Sequence, residues 1–191
     1  MTGPAPAELS AIWARHHAEW RDTAQVTSQW REAAQTEPRL LSHRVTGEWW
    51  ELLAATGLTL LVTREYEHLV MALSCAGSEP NVTFFPMPHP SGMAVDPQRG
   101  VLHVASTRNP NQVYDLVPTC QLLARLDVPA ETVAGNPLVP LRSRFLPGCL
   151  YLHDLAFIGG VLHANAVGQN AVIRLDSDGG YKPVWMHKKA G

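Results

Sequence analysis

The chain has 191 residues, 46% of them hydrophobic and 17% charged, with a formal net charge of −2. These values suit one folded domain of ordinary size and argue against disorder. Scattered Lys and Arg make no basic face for nucleic acid, and no apolar run approaches the ~20 residues that cross a bilayer as a helix. Met1-Thr2-Gly3-Pro4 opens without the charged and apolar regions of a secretory signal, so a cytoplasmic protein without membrane or nucleic-acid partners is expected.

From Ala7 to about Gln35 the sequence reads as helix, rich in Ala, Glu, Arg and Gln and free of internal Gly and Pro. Leu9, Trp13, His16 and Trp20 recur at three- and four-residue steps and form one apolar stripe. Trp30 drifts off that stripe, which predicts a bend near Thr27, and Pro38 ends the helical segment. The tryptophans read as anchors that dock the helix on the rest of the chain or on a partner. Cys75, Cys120 and Cys149 match no metal-finger spacing and read as reduced thiols, mostly buried. Asn81-Val82-Thr83 fits a glycosylation pattern that matters only in a secretory compartment.

After about Val45 short β-type runs alternate with Gly, Pro, Asn and Asp, with helical texture only around Trp49 to Ala55 and Thr119 to Leu126. Three stretches share one pattern of turn, strand, polar link and strand. They begin at Gly57, Gly100 and Gly160 and continue through His68 to Leu73, Gln112 to Leu116, and Asn170 to Asp176. A further strand precedes the later two glycines, at Ser91 to Asp96 and Leu152 to Phe157, and Tyr181 to Trp185 adds an outer one. Repeated units of three to four antiparallel strands predict propeller blades. The expected fold is mainly β, a partial β-propeller of about three blades, with an N-terminal helical segment over 1–44 and blades over 45–185. A β-sandwich with coincidental rhythm is the competing architecture. The wider spacing before Gly160 predicts an irregular insertion between Val128 and Gly148, where Pro129, Pro137, Pro140 and Pro147 lie.

Several stretches resemble an uncharacterised bacterial family of conserved hypothetical proteins, a domain of unknown function regarded as propeller-like. They are Trp49 to Leu53, Pro90 to Asp96, Thr107-Arg108-Asn109, Phe145 to Ala156 and Leu162 to Asn170. The resemblance implies further blades beyond Trp185. Met186 to Gly191 has no strand pattern, so 186–191 reads as a non-matching tail of a chain truncated relative to that family. Three blades cannot close a ring, and their exposed edges predict self-association or a protein partner.

Propeller ligands sit where the innermost strands converge, which points to His153 and Asp154. An imidazole beside a carboxylate can orient a metal or act as a base, and His153 is the candidate metal ligand. Adjacent strand residues point to opposite faces, so both can serve one site only at a bulge. His103, Asn109, Asn165 and Asn170 follow the second strands and could join them, although His103 and His163 occupy equivalent positions that suggest a shared structural role. Asp176-Ser177-Asp178-Gly179 lacks the later ligands of a calcium loop and reads as a hairpin turn. No nucleophile elbow, zinc-protease motif or nucleotide fingerprint occurs, and no cofactor is indicated. The leading expectation is a non-catalytic ligand- or protein-binding scaffold. The alternatives are a metal-assisted hydrolase or lyase resembling gluconolactonase-type propellers and an inactive truncated remnant. The inner strand at Ser91 to Val95 carries no carboxylate before Asp96, which favours binding.

Overall fold

A computed structural model describes residues 22–108, 111–119, 137–146, 148 and 150–186, with positions 25–28 by backbone alone, and six helical positions between Ala7 and Ala18. Helix α1 runs Thr23–Ala34 and α2 runs Trp49–Thr56, with a 3-10 turn at Pro38–Leu41 between them. The expected bend or break near Thr27 is not found: α1 passes through Thr27 unbroken from its N-cap at Asp22, whose carboxylate accepts the Ala24 N–H at 2.8 Å. A capping carboxylate satisfies an N-terminal amide and so selects a start there. The stripe residues Leu9, Trp13, His16 and Trp20 lie outside the described residues, as do Cys120, Cys149 and positions 120–126.

The strands build three separate antiparallel sheets, ordered β1-β2-β3, β4-β5-β6-β7 and β11-β10-β9-β8. They are β1 (Leu60–Arg64), β2 (Leu69–Ala76), β3 (Glu79–Pro86), β4 (Pro90–Asp96), β5 (Val101–Ser106), β6 (Asn111–Pro118), β7 (Leu138–Leu146), β8 (Leu152–Ile158), β9 (Val161–Ala166), β10 (Ala171–Leu175) and β11 (Tyr181–Met186). Each later sheet holds its four strands in sequence order, and among the described residues no strand of the first sheet precedes Gly57. Part of the expected insertion is instead β7, paired along the edge of β6, and Met186 closes β11 rather than opening a tail. The Asp176 turn is a hairpin, with Asp176 N–H on the Gly180 carbonyl at 2.9 Å.

Strands β5 and β6 show why the sheets lie side by side. Every β5 residue and the first six of β6 are buried, although strand side chains alternate between faces. Leu102, Val104, Tyr114 and Leu116 pack with Val70 and Met87 toward the first sheet. Ala105 and Val113 pack with Leu155, Leu162, Ala164 and Ile173 toward the third. The second sheet is therefore covered on both faces. Successive sheets meet through β1, β4 and β8. Beyond the first sheet lies α2, with Cys75 Sγ 3.6 Å from the Trp50 carbonyl, while Trp30 of α1 meets Tyr114 edge-on at 5.9 Å.

The strands alternate in direction and the links between sheets are short, so the turns segregate to two ends. At one end Gly57, Gly100 and Gly160 adopt φ of 63°, 64° and 78°, a left-handed backbone that glycine takes without steric cost. At the other, the same region is forced on His68, His89, Tyr151 and Asn170, at φ 57°, 39°, 50° and 49°. Such residues persist only where their surroundings over-determine them, and they cluster at functional rims.

Candidate functional site

His153 and Asp154 stand at the start of β8, at the end that carries the strained residues. The bulge that a shared site would require is present. Leu152 pairs with Ala166 and Asp154 with Asn165, which leaves His153 as the extra residue and exposes both His153 and Asp154. Strand β4 shifts register at the same place, between Pro90 and Met93. The two bulges nest: Ser91 Oγ donates to the His153 carbonyl at 2.8 Å, and a Cβ on Gly92 would stand 2.3 Å from Asp154 Cα. Asp154 accepts its neighbour Leu155 N–H at 2.9 Å, and Asn170 ends the short turn before β10. The structure thus brings His153, Asp154 and Asn165 to one end of the third sheet. Asn109 lies outside the described residues.

His103 belongs elsewhere. It is buried between the second and third sheets, where its Nδ1 lies 2.6 Å from Asp115 Oδ1 and its ring 5.6 Å from Phe157. The expected shared role with His163 does not hold. His103 faces Asp115 across the strand pair, but the residue facing His163 is Arg174, and His163 Nδ1 turns instead to the Val161 carbonyl at 2.8 Å. Asp115 is 1% exposed and also accepts from Arg142 Nε at 2.5 Å and Arg144 at 3.2 Å. Burial alone would push its carboxyl up. The hydrogen bonds from His103 and Arg142 and the charge of Arg144 outweigh that and hold it at about 2.

This charge cluster floors a cleft of about 480 Å³ between the two sheets, whose lining includes Arg99, His103, Arg142, Arg144, Arg174 and Ser177. Arg99 and Arg174 are tied to Asp96 and Asp176 at the rim. Arg142 and Arg144 spend one edge each on Asp115, and Arg144 Nε is buried without a hydrogen-bond partner among the described residues. A guanidinium carries five donors, so both keep capacity for a further anion.

Residues 47–189 match the model of a family described as a domain of unknown function, DUF4915. The chain belongs to this family. No curated protein matches it. Among solved structures it is similar to a catalytically inactive variant of virginiamycin B lyase from Staphylococcus aureus, solved with quinupristin. That similarity has a TM-score of 0.48 and 11% identity, over 71% of this chain and 40% of that one.

One more constellation on the DUF4915 fold was not anticipated from sequence. Glu32 of α1, His68 in the β1–β2 turn and His89 in the β3–β4 link each bring a ligand-type atom within 4.8 Å of the others. The imidazoles meet edge-on at 4.2 Å, and the His89 N–H donates to His68 Nδ1 at 3.2 Å. Burial, with the charges of His68 and Arg108, lowers His89 to about 4, and burial lowers His68 as well against the opposing pull of Glu32. Both rings are therefore neutral at pH 7. The only sequence signal was a histidine set between Pro88 and Pro90, outside the repeated pattern.

Proposed function

We propose that this DUF4915 chain is an incomplete β-propeller of about three blades that serves as a non-catalytic binding module, holding a small anionic ligand between its second and third blades. The partly unused Arg142 and Arg144 donors above Asp115 carry this reading. The cleft volume falls within the ~300–1,000 Å³ typical of ligand pockets. Arginine forks match carboxylate and phosphate geometry, and the burial around them strengthens each bond. Asp115 is committed to two guanidinium groups, which leaves little of its charge to assist proton abstraction by His103. Strand β4 presents Ser91 and backbone where metal-dependent propellers need carboxylates, which also favours binding over turnover.

The test is calorimetry and thermal shift of the chain with phosphate, pyrophosphate and citrate, against a neutral sugar. One of the anions should raise the melting temperature in proportion to the logarithm of its concentration, less so at high salt. Arg174→Gln, at the exposed rim, should weaken that anion about tenfold, the loss of one charge-assisted bond of about 1.5 kcal/mol. Indifference to every anion, or binding untouched by Arg174→Gln and Arg142→Gln, would sink the reading.

The bulge that exposes both His153 and Asp154 favours a second reading, a metal-assisted hydrolase or lyase centred there with Asn165 and Asn170. Self-association belongs to the first reading. The face of the third sheet turned away from the second exposes Ile158 and Trp185. Light scattering should give a mass above one chain that falls toward a monomer with Trp185→Glu; a monodisperse wild-type monomer would refute it. Among the described residues no helix is long and apolar enough to cross a membrane.

A further inference from the structure

We infer that Glu32, His68 and His89 form a binding site for one divalent first-row transition metal, with Zn²⁺ as the reference ion. The site is independent of the arginine cleft. Its ligands come from three separate segments, a helix, a hairpin turn and a link between sheets, that meet only in the folded chain. Two imidazoles and one carboxylate suit Zn²⁺ and its neighbours, whereas Mg²⁺ and Ca²⁺ prefer oxygen-only sets. Three protein ligands leave one tetrahedral position open.

Two observations beyond proximity point to a ligand. His89 is only 9% exposed, and its Nδ1 is buried with no hydrogen-bond partner among the described residues. A buried ring nitrogen without a partner is expensive unless something occupies it. Both histidines also hold left-handed backbones, pinned by the Met87 N–H on the His68 carbonyl at 2.9 Å and the Thr107 N–H on the His89 carbonyl at 3.2 Å. The fold thus spends strain on placing these two rings, and on no other histidine among the described residues.

Metal bonds of 2.0–2.2 Å set ligand atoms about 3.4 Å apart, so a cluster whose ligand atoms lie within 4.8 Å of one another must tighten by up to about 1.4 Å. Glu32 has the freedom to do this, since its side chain is 58% exposed and reaches only to 3.9 Å from His68 Nε2. His68 must also change its proton. Its Nδ1 now accepts the His89 amide, so the neutral ring carries hydrogen on Nε2. A metal taking the Nε2 lone pair sends that proton to Nδ1, and the bond from the His89 amide is given up. No net proton leaves the ring. The charge of exposed Arg108 opposes a cation here, while Glu32 and Glu67 favour one.

The chain, stripped with chelator and titrated with Zn²⁺ by calorimetry and with Co²⁺ by visible absorption, should bind one equivalent and show the spectrum of tetrahedral cobalt. His68→Ala or His89→Ala should weaken Zn²⁺ by at least about 100-fold, more than the loss of an outer-shell partner. Glu32→Gln, on an exposed helix face where folding is not at stake, should weaken it about tenfold by the same scale. His163→Ala should leave it unchanged. Nitrogen NMR should move the His68 proton from Nε2 to Nδ1 on adding Zn²⁺. Failure of the wild type to bind, or equal affinity in Glu32→Gln and His68→Ala, overturns the assignment even if His89→Ala does not fold. Loss of metal with His153→Ala in place of these variants also overturns it and moves support to the second functional reading.

Discussion

Gly92→Ala is expected to lower the thermal midpoint by roughly 10 °C or to prevent folding. The new Cβ would lie 2.3 Å from Asp154 Cα, 2.6 Å from Asp154 C and 2.6 Å from Leu155 N. These are backbone atoms, so no rotamer change relieves the overlap. Strand β4 would have to leave β8. That opens the cluster around Leu150, Leu152 and Leu155, which are 0%, 0% and 5% exposed, and breaks the Ser91 bond to the His153 carbonyl. Overpacking against soft side chains costs about 1–3 kcal/mol, and a backbone clash belongs at or above the top of that range. In a chain of this size each kcal/mol moves the midpoint by about 2–4 °C. Gly57→Ala is the matched control. Nothing stands within 4 Å of its Cβ position, so only the left-handed φ of 63° is penalised, by roughly 1–2 kcal/mol. Paired melts at one scan rate decide the point. If Gly92→Ala melts with or above Gly57→Ala, the nested bulges do not hold the two sheets together.

The inner part of each sheet was legible and the rim was not, for one physical reason. Strands β5 and β9 follow left-handed glycines and carry buried apolar residues, so their rhythm stands out from the sequence. Strand β7 is an outer edge, exposed along most of its length, with Pro140 at a register shift where a missing N–H is tolerated. Nothing in Leu138 to Leu146 alternates, and the prolines around it read as loop. The same limit hid the sites. A left-handed φ at His68 or His89 is dictated by neighbouring chain and has no residue code, unlike the glycine turns. Asp115 sits between Tyr114 and Leu116 on a strand that reads as plain core. Its meaning emerges only once the register places His103 opposite and β7 brings Arg142 and Arg144 alongside. The His153 bulge could be stated from sequence only as a condition, since it depends on which residue of β9 faces Asp154.

Asp115→Ala should cost about 3–5 kcal/mol, the usual penalty for removing one member of a buried ion pair. Arg144, 10% exposed at its side chain, would lose its counter-charge beside His103, with the hydrophobic cluster around Ala105 and Val113 closing off water. Asp115→Asn keeps the shape and some of the hydrogen bonds, and should fall between wild type and alanine. The acid limb of stability separates charge from packing. Asp115 is held at about 2 when folded against an ordinary 3.8, so it binds its proton less readily folded than unfolded. The stability this lends, roughly 2 kcal/mol, is present above pH ~4 and drains as pH falls toward 2. Urea melts from pH 5 to 2 should show wild type losing about that much more than Asp115→Asn, and an identical loss in both would mean that the carboxylate is not ionised against its arginines. A further arm joins this cluster to ligand binding. With the carboxylate gone, formate or acetate at high concentration should refill the gap between Arg142 and Arg144 and restore part of the stability of Asp115→Ala. An uncharged amide of the same size should not, because only an anion can take both guanidinium edges.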